Sequence, residues 1–156
     1  MQGYALTLML LALLLFGQKP SQDKSFADCD KTAKTQADLT ECGGSDYRKA
    51  DAELNRAYQL LLKKAGGDPI AVEKIKASQR AWLTFRDAQI AALYPAEDKQ
   101  REYGTVFPMC ADLALADLTR ERTKMLEHML KPTEGDVCDG GLSYPEPSPA
   151  SRDSRN

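Results

Sequence analysis

Apolar residues recur at helical spacing in three long stretches of the chain. Tyr47, Leu54 and Leu61 are seven residues apart, with alanines between them and charged residues on the other faces. A stripe of this period is typical of a helix that buries one side. The same reasoning predicts a second helix from Pro69 to about Leu93 and a third from about Met109 to Leu130. No stretch shows the alternation of a β-strand.

Capping residues and glycine pairs bound the first helix. Thr35 followed by Asp38 has the spacing of a capping box. Gly43-Gly44 interrupts the segment after it, and Ser45 could cap a fresh helix there. The first helix therefore begins at Thr35 and kinks, or begins anew at Ser45. Gly66-Gly67 ends it.

Prolines bound the other two helices. Asp68-Pro69 combines a capping carboxylate with proline at the first helical position. Tyr94-Pro95 stops the second helix, because the residue before a proline avoids the α region. A connector spans residues 96–108, and Pro132 ends the third helix. Three helices joined by one tight turn and one longer connector predict an all-α, up-down-up bundle.

The first residues have the pattern of an export signal. The segment from Ala5 to Phe16 is almost entirely apolar, and it is shorter than the ~20 residues of a membrane span. We expect a signal peptide and polar leader over 1–24; the alternatives are a buried N-terminal helix or a short uncleaved anchor. The helical domain is then 25–131, and 132–156 forms a loop and a Pro/Ser-rich tail that we expect to be disordered.

Four cysteines follow this leader: Cys29, Cys42, Cys110 and Cys138. In a small exported chain an even number predicts two disulfides, with three possible pairings. A zinc site is disfavoured, because the cysteines are scattered and the chain has one histidine. In an up-down-up bundle Cys42 and Cys110 are level, so this pair is our first choice. Cys29 is then left to pair with Cys138.

Charge narrows the class of partner. The net charge is −2 and 28% of the residues are charged, which gives no reason to expect a nucleic-acid partner. A mildly acidic chain permits a cationic protein partner without requiring one. No pattern calls for a cofactor or a metal ion, and no stable membrane insertion is expected once the signal is cleaved.

Three ordered segments carry a resemblance to a known family. Thr35–Cys42 has the form TQ-x-x-x-x-x-C, Ala50–Tyr58 reads AD-x-x-LN-x-x-Y, and Gln79–Ala88 reads QRAW-x-x-FRDA. Together with Cys110, they resemble the LprI-type lysozyme-inhibitor family of small exported bacterial helical domains, over roughly residues 29–130. The resemblance implies a disulfide-bonded, periplasmic or secreted domain and, for at least some members, inhibition of host lysozymes.

One cysteine of the family pattern is replaced. Many members have a cysteine just after the R-D-A segment, where this chain has Ile90. The usual pairing is therefore in doubt, and Cys138 is a candidate to take up the orphaned partner.

The motif residues allow structural and functional interpretations. They are Asp51, Leu54, Asn55, Tyr58, Trp82, Phe85, Arg86 and Asp87. Tyr58, Trp82 and Phe85 could form a ligand-stacking surface, but their spacing favours the core. Arg86 should be partly buried and needs a carboxylate, for which Asp51 is level on the first helix. A structural Asp51–Arg86 pair is thus expected in preference to a catalytic site.

The remaining candidates are weaker. His128 is expected to be a favourable charge in the last turn of the third helix rather than a general base. The glycine pairs indicate turns rather than phosphate loops. The acidic residues are ordinarily solvated, but some could meet a cationic lysozyme: Glu41, Asp46, Asp112, Asp117 and Glu121. The 134–144 loop could equally enter a cleft.

The sequence therefore favours a binding protein over an enzyme. We expect a periplasmic or secreted lysozyme inhibitor that acts by stoichiometric, non-covalent binding. The alternative is a structural or adaptor module for another cell-envelope protein. An enzyme acting on envelope polymers is disfavoured, because no paired catalytic carboxylates stand out.

Overall fold

The computed structural model describes residues 25–133 and 135–139. The predicted signal peptide and the Pro/Ser-rich tail from residue 140 lie outside these ranges. The described part is helical and contains no strand, which confirms the predicted all-α class. Its α-helices are α1 (Phe26–Cys29), α2 (Gln36–Ala65), α3 (Pro69–Leu93), α4 (Lys99–Tyr103) and α5 (Phe107–Leu130), with 3₁₀ turns at Gly104–Val106 and Val137–Asp139.

Helix α2 begins at the predicted capping box and runs unbroken through the glycine pair. The Asp38 amide donates to Thr35 Oγ1 at 3.1 Å, and the Thr35 amide donates to Asp38 Oδ2 at 2.9 Å. Of the two predicted starts, the one at Thr35 is correct and a fresh start at Ser45 is wrong. A glycine is needed at position 43 because α5 passes close to it: a Cβ there would lie 3.2 Å from the backbone oxygen of Met109. The pair serves close helix packing rather than a break.

Helix α3 has the predicted bounds. Asp68 Oδ1 accepts hydrogen bonds from the Ile70 amide at 2.8 Å and the Ala71 amide at 3.0 Å. Pro69 occupies the first turn, where its missing N–H costs nothing. The helix ends at Leu93, before Tyr94-Pro95.

The connector between α3 and α5 is more ordered than the sequence indicated. It contains the short helix α4, which Asp98 caps by accepting from the Arg101 amide at 3.0 Å. Tyr94, Tyr103 and Phe107 form an aromatic cluster, with ring centroids 5.1–5.8 Å apart. These ring contacts hold the end of α3, α4 and the start of α5 together. Helix α5 begins at Phe107, two residues earlier than predicted.

The three long helices form the predicted up-down-up bundle, with α2 and α5 parallel and in close contact. Gly43 lies against Met109, and Lys64 Nζ donates to the Leu130 carbonyl at 2.8 Å. Both pairs are 66 residues apart along the chain, so the two helices keep one register over their whole length. The buried core consists of Leu54, Ala57, Leu61, Ala65, Ile75 and Leu126. Most of it comes from α2, and only Ile75 comes from α3.

The predicted disulfide pairing is wrong. Cys29 is bonded to Cys42, with their Cα atoms 5.7 Å apart, and Cys110 and Cys138 are free thiols. The predicted level of Cys42 and Cys110 holds, since Gly43 touches Met109. However, α1 folds back beside the start of α2, which brings Cys29 to Cys42 across a short loop. Cys138 is a free thiol, so it does not pair with the cysteine that the replacement by Ile90 leaves without its usual partner.

Candidate functional site

The α2 motif and the start of the α3 motif meet in one groove. This groove has a volume of about 330 Å³ and lies between α2 and α3. Its lining combines a buried leucine floor with polar rims from both helices: Asp51, Leu54, Asn55, Tyr58, Lys76, Gln79, Arg80 and Leu83. Four of the eight predicted motif residues therefore share one concave surface with Gln79 and Arg80 of the QRAW segment.

Asp51 does not pair with Arg86, so that expectation is wrong. The Asp51 carboxylate instead accepts from Asn55 Nδ2 at 2.8 Å, one turn further along α2. The same α2 motif thus supplies both members of the hydrogen bond. Asp51 is the only carboxylate that lines the described groove.

Arg86 is held by a different set of groups. Its Nε and Nη2 atoms donate to Asp87 Oδ1 at 2.9 and 2.7 Å, and its Nη1 donates to the Tyr47 hydroxyl at 3.1 Å. The guanidinium also lies 5.6 Å from the centre of the Trp82 ring, at cation–π distance. Its side chain is 16% exposed. Arg86 therefore joins α3 to α2 as expected of a structural residue, although through Tyr47 rather than Asp51. Burial raises the pKa of Tyr47.

The three aromatic motif residues separate into two groups. Tyr58 and Trp82 are half-buried and pack against the core, as predicted. Phe85 is 53% exposed, so its assignment to the core is wrong. Helix α3 contacts the bundle along a single narrow stripe, and Phe85 lies outside that stripe.

Gln79 and Arg122 join α3 to α5, a role that was not predicted from the sequence. Arg122 Nε donates to Gln79 Oε1 at 3.2 Å, and its Nη2 donates to Ser78 Oγ at 2.9 Å. Gln79 is buried, and burial lowers the pKa of Arg122. The glutamine of QRAW was the available signal, since a glutamine on the apolar stripe of a helix needs a polar partner.

The acidic residues do not form one unpaired patch. Asp46 is buried and pairs with Arg120 at 2.6 Å, which raises the pKa of Arg120. Glu41 pairs with Arg48 at 2.5 Å. Burial raises the pKa of Asp112, which lies beside Arg48. The two others pair within α5, Asp117 with Arg120 at 3.3 Å and Glu121 with Lys124 at 2.6 Å.

His128 lies in the last turn of α5, as predicted, and its Nε2 contacts the Asp139 carboxylate. Hydrogen bonds from Thr133 to the Asp139 carboxylate are the main cause of its lowered pKa. The contacts of Asp139 with His128 and Thr133 hold the chain after α5 against the end of that helix. Within residues 25–133 and 135–139, no three histidine, cysteine or acidic residues are grouped to hold a metal ion. No helix of the same ranges is long and apolar enough to cross a bilayer.

Comparison with known proteins agrees with this arrangement. The family model described as lysozyme inhibitor LprI matches residues 29–126, which include the disulfide, the groove and most of α5. An uncharacterised protein of Rhizobium meliloti (strain 1021) is 37% identical over 137 residues, covering 80% of this chain and 94% of the relative. No solved structure matches the chain. The matched range contains all three motifs and the helices that bring them together, and the chain therefore belongs to the LprI lysozyme inhibitor family.

Proposed function

We propose that this protein is an exported inhibitor that binds a lysozyme non-covalently and stoichiometrically. The observation that carries the proposal is the family match over residues 29–126. The groove fits binding better than hydrolysis, because glycoside hydrolysis ordinarily requires two carboxyl groups and the groove has Asp51 alone.

Export is part of the same proposal. Lysozymes act on the cell wall, so an inhibitor must reach the periplasm or the exterior. The apolar leader at Ala5–Phe16 would direct export, and removal of residues 1–24 would leave the helical domain. The Cys29–Cys42 disulfide is consistent with an oxidising compartment.

The test is lysis of a peptidoglycan suspension by chicken-type lysozyme, with increasing amounts of the protein recovered from the periplasm after export. We expect inhibition that saturates near one-to-one. Thermally unfolded protein is the control for non-specific effects. If folded protein leaves chicken-, goose- and invertebrate-type lysozymes unaffected, the proposal is overturned. The adaptor function then becomes the better hypothesis, and pull-downs from envelope extracts would test it.

A further inference from the structure

The outward side of α3 is an uncommon protein surface. Six of the exposed positions of α3 lie on one helical face and are small or apolar: Ala77, Ala81, Thr84, Phe85, Ala88 and Ala92. Leu83, which lines the neighbouring groove between α2 and α3, is 38% exposed. Soluble helices ordinarily put charged residues on their solvent side. A half-exposed phenylalanine among alanines gives a flat surface with one protruding aromatic ring.

The charges between residues 77 and 92 are few. They are Arg80, Arg86 and Asp87, of which the last two bind each other. The Arg80 side chain makes no hydrogen bond or ion pair with any residue in the described ranges. Lys76, the other cation of the groove, is paired with Glu73 at 3.1 Å. Arg80 therefore presents an uncompensated guanidinium between the groove and the apolar face of α3.

Most other described arginines have a partner or lie near carboxylates. Arg48, Arg86 and Arg120 bind carboxylates, and Arg122 is held by neutral side chains. Arg56 lines a second groove, of about 440 Å³, together with Glu53 and Glu127. Arg80 combines a guanidinium that has no partner in the described ranges with a groove in which Lys76 is already paired and with the apolar face of α3. Arginine and aromatic residues in such a setting are enriched among residues that dominate binding energy.

We propose that this surface, the Arg80 face of α3 (Arg80, Ala81, Thr84, Phe85 and Ala88), covers the active-site cleft of the lysozyme. The inference rests on the proposed function and adds the contact surface and its chemistry. Glycosidases of this kind carry a pair of carboxyl groups beside the scissile bond. The Arg80 guanidinium would donate bidentate hydrogen bonds to a cleft carboxylate. Phe85, on the opposite flank of the same face, would pack against an apolar part of the cleft wall.

Net charge and local charge then have separate roles. The net charge of −2 favours the approach of a cationic lysozyme, which affects the association rate. Arg80 matches the one part of such a partner that is locally acidic. Because the contact forms in a cleft that excludes water, its loss should mainly increase the dissociation rate.

The experiment compares Arg80→Gln and Phe85→Ser with the control Arg56→Gln in the exported protein, using the lysis assay and calorimetric titration. We expect each test variant to weaken binding by about 30-fold, which is the effect of a ~2 kcal/mol contact. The control should bind within about twofold of wild type. All three positions are exposed, so the melting temperatures should match; a variant that melts early would be replaced by Arg80→Lys, which keeps the charge and removes the bidentate geometry.

Two further readouts separate the outcomes. A soluble N-acetylglucosamine oligomer that occupies the cleft should compete with the wild-type protein. A lysozyme whose catalytic glutamate is replaced by glutamine should bind wild type more weakly, but should bind Arg80→Gln as the unmodified lysozyme does. If wild type inhibits while Arg80→Gln inhibits equally, or the oligomer does not compete, the surface assignment is overturned and the function stands. If wild type inhibits no lysozyme, the function itself is overturned, and the assignment with it.

Discussion

Thr119, a buried residue of α5, offers a test of what an unpaired hydroxyl costs the fold. It is 0% exposed, and its Oγ1 has no hydrogen-bond partner among the described residues. A buried hydroxyl without a partner costs about 1–3 kcal/mol. Thr119→Val keeps the branched shape and replaces the hydroxyl with a methyl group, so helix propensity and volume change little. We expect the free energy of unfolding to rise by about 1–2 kcal/mol.

Thr123→Val is the matched control. Thr123 is also buried, but its Oγ1 donates to the Thr119 carbonyl at 2.9 Å, so this substitution removes a hydrogen bond that exists. It should be neutral or destabilise by up to about 1 kcal/mol. Urea unfolding followed by circular dichroism and by the fluorescence of Trp82, the single tryptophan, measures both variants. If Thr119→Val is no more stable than wild type while its urea dependence is unchanged, the hydroxyl has a partner and the reasoning fails.

Three further predictions concern the covalent bond, pH and helix contact. Replacing Cys29 and Cys42 together by serine should lower the free energy of unfolding by about 3 kcal/mol, because the disulfide closes a short loop in the unfolded chain. In thermal melting, reductant should destabilise the wild type by the same amount and leave the double variant unchanged. Hydrogen bonds from the Lys34 amide and from Thr35 lower the pKa of the Asp38 carboxyl. The contribution of Asp38 to stability is therefore present above its unfolded pKa and is lost as pH falls through its folded pKa. Asp38→Asn should flatten the acid limb of a curve of stability against pH, and an unchanged limb would contradict this. Gly43→Val should destabilise by about 1–3 kcal/mol because the backbone of α5 lies against it, whereas Gly67→Ala, which meets open space, should stay within about 0.5 kcal/mol in the same urea assay.

Local signals in the sequence were sufficient where an element depends on its own residues. The cap at Thr35, the start of α3 at Asp68 and its end at Tyr94 are confirmed, because each is set by hydrogen bonds or steric limits within a few residues. Helical period likewise identified Leu54 and Leu61 as core residues.

The errors have a common cause, because each concerns a direction around a helix axis or a chain reversal. Cys42 and Cys110 lie at the same height along the bundle axis, but height does not determine the direction in which a side chain points around its helix. Asp51 and Arg86 were matched by height in the same way, and each has a different partner. The one-turn helix α1 positions Cys29 beside Cys42, and no local sequence pattern predicted this helix.

The sequence by itself determined the class of fold, the bounds of the helices around the tight turn and the family. Tertiary structure alone decided the disulfide, the exposure of Phe85 and the lack of a described partner for Arg80. The reason is geometric. Helix propensity and capping act over three or four residues, whereas facing and pairing depend on how α2, α3 and α5 rotate to bury their stripes together. Since α3 contributes one narrow stripe to that core, its other side stays exposed.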